Sequence, residues 1–234
     1  MKILQDDSSE RIWIGQPAYI SKIFQKFGMQ DCKPVSTPVD PGAKLTKSSN
    51  SEDCLDQQRY QSAIGALLYL SVSTRPDITY TVSTLAKFSS NPTKQHWTSL
   101  KRVMRYLKGT ANHGIVYSKK GTKQCVGCCD ADWAGDLDDR KSTSGYIFKM
   151  SEGAITWSSK KQPCVALSTA EAKYVALASA EQEAVWLRQL MSELGNTPII
   201  PTTMFEDNQS AIAMTKNPQS HGRAKHRHQI PFYS

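Results

Sequence analysis

An α/β chain with a mainly helical module ahead of a strand-rich one is what the sequence predicts. Three observations carry that expectation. Apolar residues recur at helical spacing between residues 57 and 109, short strand-like runs follow between 115 and 157, and one long helical stretch then runs from Ser168 to Leu194. The alternation of element types beyond residue 120 is the α/β signature. A chain of 234 residues has room for one large or two small domains. With 39% hydrophobic and 9% aromatic residues it can build a core in each. No apolar run approaches the ~20 residues of a membrane span, so no membrane partner is expected. The opening MKILQDDSSERIW places acids where a secretory apolar segment would stand, which leads us to expect the cytoplasm or nucleus.

Residues 1–32 alternate briefly at Arg11-Ile-Trp-Ile14 and then place Ile20, Ile23, Phe24 and Phe27 at helical spacing: one strand and a short amphipathic helix. Residues 33–56 turn to prolines and small polar side chains and read as a linker. Residues 57–120 hold three helices. Tyr60, Ile64, Leu67 and Leu68 line the first, and Ile78, Val82 and Leu85 follow Pro76 in the second. The third is expected to be capped by Asn91, with Pro92 in its first turn, and to stop at Gly109. The strand series opens at Ile115–Tyr117. It continues in the second module, 121–234, with Cys125–Cys129, Tyr146–Met150 and Ala154–Trp157. The long helix follows, closed by Gly195, and Thr203-Met-Phe leads through a pair of acids into a final short helix.

The charge is unevenly placed. Residues 1–120 carry 17 Lys+Arg against 9 Asp+Glu, whereas residues 121–234 carry 12 of each, so the whole net charge of +8 lies in the first part. A basic module beside a neutral one suits a polyanion held by the first and worked on by the second. The third helix shows where it could be held. Trp97, Leu100, Met104 and Leu107 form its apolar stripe, and Lys94, Lys101, Arg105 and Lys108 lie on another side, facing solvent or a nucleic-acid backbone.

The six cysteines are expected as free thiols, because an even count without a secretory leader does not argue for disulfides. Cys125 and Cys128 have the spacing of half a zinc site but no second pair to complete it.

Three carboxylates stand out by their setting. Asp130 is the first residue beyond the apolar run CVGCC, and Asp207 ends the short strand TMF. Glu171 lies in the first turn of the long helix, where Ser168-x-x-Glu171 also has the form of a capping box. Acids fixed on the ends of elements suit a hard cation, which wants oxygen ligands. Asp132, Asp136, Asp138 and Asp139 are expected on the mobile side, in a solvated loop.

The words DADWAGDLDDRKSTSGYIF, ITWSSKKQPCVALSTAEAKYVAL and EDNQSAIAMTKNP resemble the ribonuclease H domain of copia-type retrotransposon Pol polyproteins. Upstream, FGMQDCKPVSTP, YQSAIGALLYLSVSTRPDITYTVSTLAKFSSNP and HWTSLKRVMRYLKGT are similar to the end of the reverse transcriptase and the helical, thumb- or connection-like region that joins it to that domain. The resemblance implies a ribonuclease H-like mixed sheet with flanking helices. It also implies hydrolysis of RNA in an RNA–DNA hybrid by two divalent ions, Mg2+ or Mn2+. Under it Asp130, Glu171 and Asp207 are the catalytic, metal-holding acids, with Asp130 bridging both ions. The family's fourth carboxylate lies on a helix beyond the point where this sequence ends, at Ser234, so the expected activity is an impaired one. The paired aspartates of polymerisation lie upstream of Met1, and no polymerase activity is expected. Shortened copies of the same fragment also resemble oomycete secreted RxLR-type effectors, which implies a non-catalytic alternative with a host protein as partner. Here the corresponding run is Arg102-Val-Met-Arg105, inside a predicted helix.

Overall fold

The computed structural model describes residues 1–43, 45–47, 56–196 and 199–216. The chain forms two compact units, Met1–Lys120 and Gly121–Ser234. Together they hold six α-helices and two sheets among the described residues, a mixed α/β architecture. No described helix is long and apolar enough to cross a membrane.

In the first unit, β1 (Lys2–Asp6) and β2 (Arg11–Gly15) form an antiparallel hairpin. Helix α1 (Pro17–Phe27) begins with proline, which has no N–H to leave unpaired, and ends at Gly28 in the left-handed region at φ 67°. Helix α2 (Gln57–Ser73) is capped by Asp56, whose carboxylate accepts from the Arg59 N–H. A 3-10 turn (Pro76–Ile78), α3 (Thr79–Ala86) and α4 (Lys94–Gly109) follow. The core lies between α1, α2 and α4, where Ile20, Tyr60, Leu67, Leu100, Met104 and Leu107 are at most 1% exposed.

Three expectations for this unit are corrected. The Ile115–Tyr117 run, β3 (Ile115–Ser118), does not open the second module's strand series; it pairs with β2, Tyr117 opposite Ile12. Alternation marks a strand but does not name its partner. Strand β1 went unforeseen because all five of its residues are exposed, which leaves no alternation to read. Helix α4 is capped by Thr93, not Asn91. The Thr93 side chain accepts from the His96 N–H while His96 Nδ1 accepts from the Thr93 N–H at 3.0 Å, so histidine takes the role glutamate usually fills.

The second unit is built on a four-stranded sheet in the order β6-β5-β4-β7. Strands β4 (Val126–Ala131), β5 (Thr143–Met150) and β6 (Gly153–Lys161) are antiparallel, whereas β7 (Thr203–Phe205) runs parallel to β4. The sheet is therefore mixed. Helix α5 (Thr169–Glu193) packs on β4 and β5 and carries the parallel crossover, and α6 (Gln209–Lys216) closes the described chain. Small residues make the close approach of α5 possible: Ala172, Ala176, Ala180 and Ala184 are all buried, while Leu177, Leu187 and Met191 meet Phe148 and Cys129.

Candidate functional site

Parallel pairing of β4 and β7 positions two of the three predicted acids. Cys128 lies opposite Phe205, so Asp130, still paired with Gly145 near the end of β4, and Asp207, just beyond β7, fall at the same end of the sheet and at matched register. Both side chains are exposed, Asp130 by 74% and Asp207 by 79%. What joins them is a lysine. Lys173 on α5 places Nζ 2.7 Å from Asp130 Oδ1 and donates as well to Asp207 Oδ1. Its side chain is only 11% exposed, so a buried stem delivers the ammonium to the rim between the two aspartates.

Glu171 is not part of this group. Its N–H donates to Ser168 Oγ at 3.2 Å, the N-cap bond that the sequence spacing predicts. Its carboxylate turns back to accept from the Leu167 N–H at 2.6 Å. Two residues along a helix amount to about 200° of rotation, which carries position 173 and not position 171 round to the aspartates. The second carboxylate oxygen of Glu171 is buried and has no hydrogen-bond partner.

A fourth acid, which the sequence reading passed over, stands beneath the pair. The Glu206 side chain is 2% exposed, accepts from the Asn208 N–H at 3.0 Å, and lies 3.7 Å from Lys173 Nζ. Burial holds its carboxyl above the usual range. Burial would lower the pKa of Lys173, but hydrogen bonds to Asp130 and Asp207 outweigh it and keep the ammonium above its ordinary value. The bond from Lys173 is also the leading reason that the Asp207 carboxyl is held low. Lys173 did leave a trace in the sequence: it is the one cation inside Ala172–Ala178, an otherwise apolar or aromatic run, and lysine is seldom buried without a partner.

The expected magnesium site is not assembled by these residues. A divalent ion needs oxygens converging on a point free of other positive charge. Here an ammonium already lies on both aspartates and Glu171 faces elsewhere. Among the described residues no group of three or more His, Cys, Asp or Glu could hold a metal.

Three of the neighbouring acids make specific contacts within the unit. Asp132 accepts from the Thr143 N–H, and Asp136 and Asp139 hold Lys161 Nζ at 2.6 and 2.8 Å. Trp133, 53% exposed, is fixed by its indole N–H, which donates to Ala166 O at 3.2 Å. In the first unit the basic stripe of α4 is partly committed. Arg105 donates to Lys33 O and Lys108 to Gln30 O, tying down the segment after α1, while Lys94 is exposed and Lys101 half-buried. All described cysteines are free.

No protein-family model and no solved structure matches the chain. Curated proteins do. The Pol polyprotein of transposon TNT 1-94 from Nicotiana tabacum is 40% identical over 232 residues, 97% of this chain. The Pol polyprotein of transposon RE1 from Arabidopsis thaliana is 41% identical over 213 residues, 91% of this chain. The chain belongs to the retrovirus-related Pol polyproteins of transposons. It spans 17% and 14% of the length of those two polyproteins. Within the same Pol segment, secreted RxLR effector protein 161 of Plasmopara viticola is 53% identical over 128 residues, which is 55% of this chain and 90% of that protein.

Proposed function

We propose that this Pol segment is a ribonuclease H-like module preceded by the end of a reverse transcriptase, and that it engages RNA–DNA hybrids without cutting them. One observation carries the second half of that reading: Lys173 Nζ lies on Asp130 and Asp207, where a hydrolytic metal would have to sit. The first half is supported by the kinship with transposon Pol polyproteins, by strand-end aspartates on parallel neighbours, and by a long helix behind them. Engagement of nucleic acid is supported by the positive charge of residues 1–120 and by the exposed, anchored face of Trp133, a surface on which a base or sugar can stack.

The test uses a fluorescently labelled RNA–DNA hybrid. Anisotropy is expected to report binding that weakens steeply between about 50 and 200 mM salt, and gels with Mg2+ or Mn2+ are expected to show intact RNA. Cleavage that Asp130→Asn abolishes would restore the hydrolytic reading, and the absence of any hybrid binding would remove the engagement reading.

A second reading rests on the identity to the Plasmopara viticola effector, 90% of which this chain covers. Under it the segment acts by binding a host protein and suppressing host defence or cell death. Expression in leaf tissue challenged with a cell-death elicitor tests it; cell death at the rate of a control protein would rule it out.

A further inference from the structure

We propose that Lys173 is a built-in cation that keeps divalent metal off the Asp130–Asp207 pair, and that replacing it turns this end of the sheet into a metal site. The proposal concerns the same acids as the reading above but does not require a nucleic acid.

Position comes first. The register of β4 against β7 brings Asp130, near the end of β4, and Asp207, just beyond β7, to one end of the sheet, and the ammonium reaches both, 2.7 Å from Asp130 Oδ1. Glu206 adds a third carboxylate 3.7 Å from the same nitrogen. Three carboxylates thus flank one ammonium, two of them in hydrogen bonds and the third at a longer distance, so the positive charge at this point is supplied by the chain.

The nitrogen is also held in place. Ala172 and Ala176 are fully buried and lie either side of Lys173 along α5, so the backbone of the helix cannot swing the lysine away without opening the contact with β4. The residue is 8% exposed, so most of its stem is packed within the fold. A Mg2+ ion arriving from water would have to expel an ammonium that the fold itself presents, and it would find Glu171 turned to Leu167 instead of completing its shell. Magnesium sheds water reluctantly, and a site with an ammonium in its centre offers it no compensation.

Removing the charge reverses this balance. Lys173→Glu places a further carboxylate on the same rim, beside Asp130, Asp207 and Glu206; Lys173→Gln removes the cation and leaves the acids mutually repelling. Both changes favour uptake of a divalent ion, and the glutamate more so. Lys173→Arg keeps the charge and is expected to keep the metal out.

The experiment measures Mn2+ alone, by the loss of the free-ion electron paramagnetic resonance signal, with Mg2+ competition and no nucleic acid present. The unaltered chain and Lys173→Arg are expected to leave the signal unchanged at millimolar Mn2+. Lys173→Glu is expected to bind at least about tenfold more tightly than either, with the gain lost when Asp130→Asn is added. Mn2+ binding by the unaltered chain that Asp130→Asn or Asp207→Asn weakens would overturn the proposal, and so would a folded Lys173→Glu with no gain. Should Lys173→Glu not fold, the unaltered protein still answers. Lys173, buried and hydrogen-bonded to both aspartates, is expected among its slowest lysines to be acetylated at pH 8, and the Asp130→Asn/Asp207→Asn double variant is expected to speed that site severalfold. Fast acetylation of Lys173 in the unaltered chain would overturn the proposal. Because none of these measurements uses a hybrid, a failed hybrid-binding experiment leaves their outcome untouched.

Discussion

Arg75, 2% exposed, lays its guanidinium edge-on against Asp77, with Nε 2.9 Å from Oδ1 and Nη2 2.7 Å from Oδ2. The remaining donors reach Thr110 O at 3.0 Å and Thr110 Oγ1 at 2.6 Å, and Tyr106 donates its hydroxyl to Asp77 Oδ2. One buried cation thereby ties the 3-10 turn after α2 to the end of α4. Asp77→Asn leaves that guanidinium without its counter-charge and is expected to cost about 2–4 kcal/mol of unfolding free energy, measured by urea denaturation.

The same pair sets an acid limb. Burial would raise the Asp77 carboxyl, but the hydrogen bonds and charge of Arg75 outweigh it and hold the group below its ordinary value. A carboxyl depressed on folding contributes stability that is present above the unfolded pKa, about 3.9, and is lost as the pH falls through the folded value. The urea midpoint is therefore expected to fall below about pH 4 in the unaltered chain and to fall less in Asp77→Asn. Parallel curves for the two proteins would show that the pair has no part in the limb.

Arg105 and Lys108 lend themselves to a separate test, because each donates a hydrogen bond to a backbone oxygen of the segment after α1. Arg105→Ala and Lys108→Ala are each expected to loosen residues 30–40 by about 1 kcal/mol, close to fivefold in the opened population, and to speed limited proteolysis there by a similar factor. Lys94→Ala and Lys101→Ala are expected to leave that cleavage rate alone and to weaken hybrid binding instead, with a shallower salt dependence. Loss of hybrid affinity in Arg105→Ala equal to that in Lys101→Ala, with proteolysis unchanged, would show that the whole stripe faces the ligand.

These contacts also mark how far the sequence could be read. Helical spacing foretold α1 to α4 because each buries an apolar stripe, and the Ser-x-x-Glu word with Gly195 foretold α5, whose first two turns are buried all round. Partners were less legible. Nothing in Ile115–Tyr117 distinguishes pairing with β2 from pairing with β4, and β1 has no buried face to betray it. At the site, Asp130 and Asp207 do fall at one end of the sheet, as their places after apolar strand residues suggest. Glu171 faces away from that pair, because a glutamate that caps a helix and a side chain that reaches across to a sheet differ in rotation about the helix axis, which a list of acids does not encode. Lys173 carries the opposite charge to a metal ligand, so the pattern of acids does not point to it.

Gly127 tests how tightly β7 is held. A Cβ there would lie 2.4 Å from Met204 Sδ and 2.6 Å from Phe148 Cε1. Met204 is flexible and can yield, but Phe148 is fully buried and cannot. Gly127→Ala is expected to cost about 1–3 kcal/mol, and adding Met204→Ala to recover only part of it. An unchanged melting temperature for Gly127→Ala would contradict the close approach of β7 on β4 that brings Asp207 into register with Asp130.

Cys129 and Glu206 provide the last prediction. The Cys129 thiol lies 3.5 Å from Glu206 Oε2, and burial first, then the charge of Glu206, push its pKa up to about 12. At pH 8 such a thiol is thiolate in only about one part in ten thousand, so iodoacetamide is expected to leave Cys129 unmodified while the half-buried Cys32 and Cys164 react. Glu206→Gln removes the charge but not the burial, and is expected to speed alkylation of Cys129 without making it fast. Its effect on stability has a definite sign. Burial raises the Glu206 carboxyl, so the folded state binds its proton more tightly than the unfolded chain does, and stability is lost as the pH rises from about 4.3 through the folded value. Glutamine cannot incur that loss. Glu206→Gln is therefore expected to melt at or above the temperature of the unaltered chain at pH 7, with the difference shrinking toward pH 4; a variant less stable at pH 7 than at pH 4, relative to the unaltered chain, would show that the contact with Lys173 outweighs the burial of the acid.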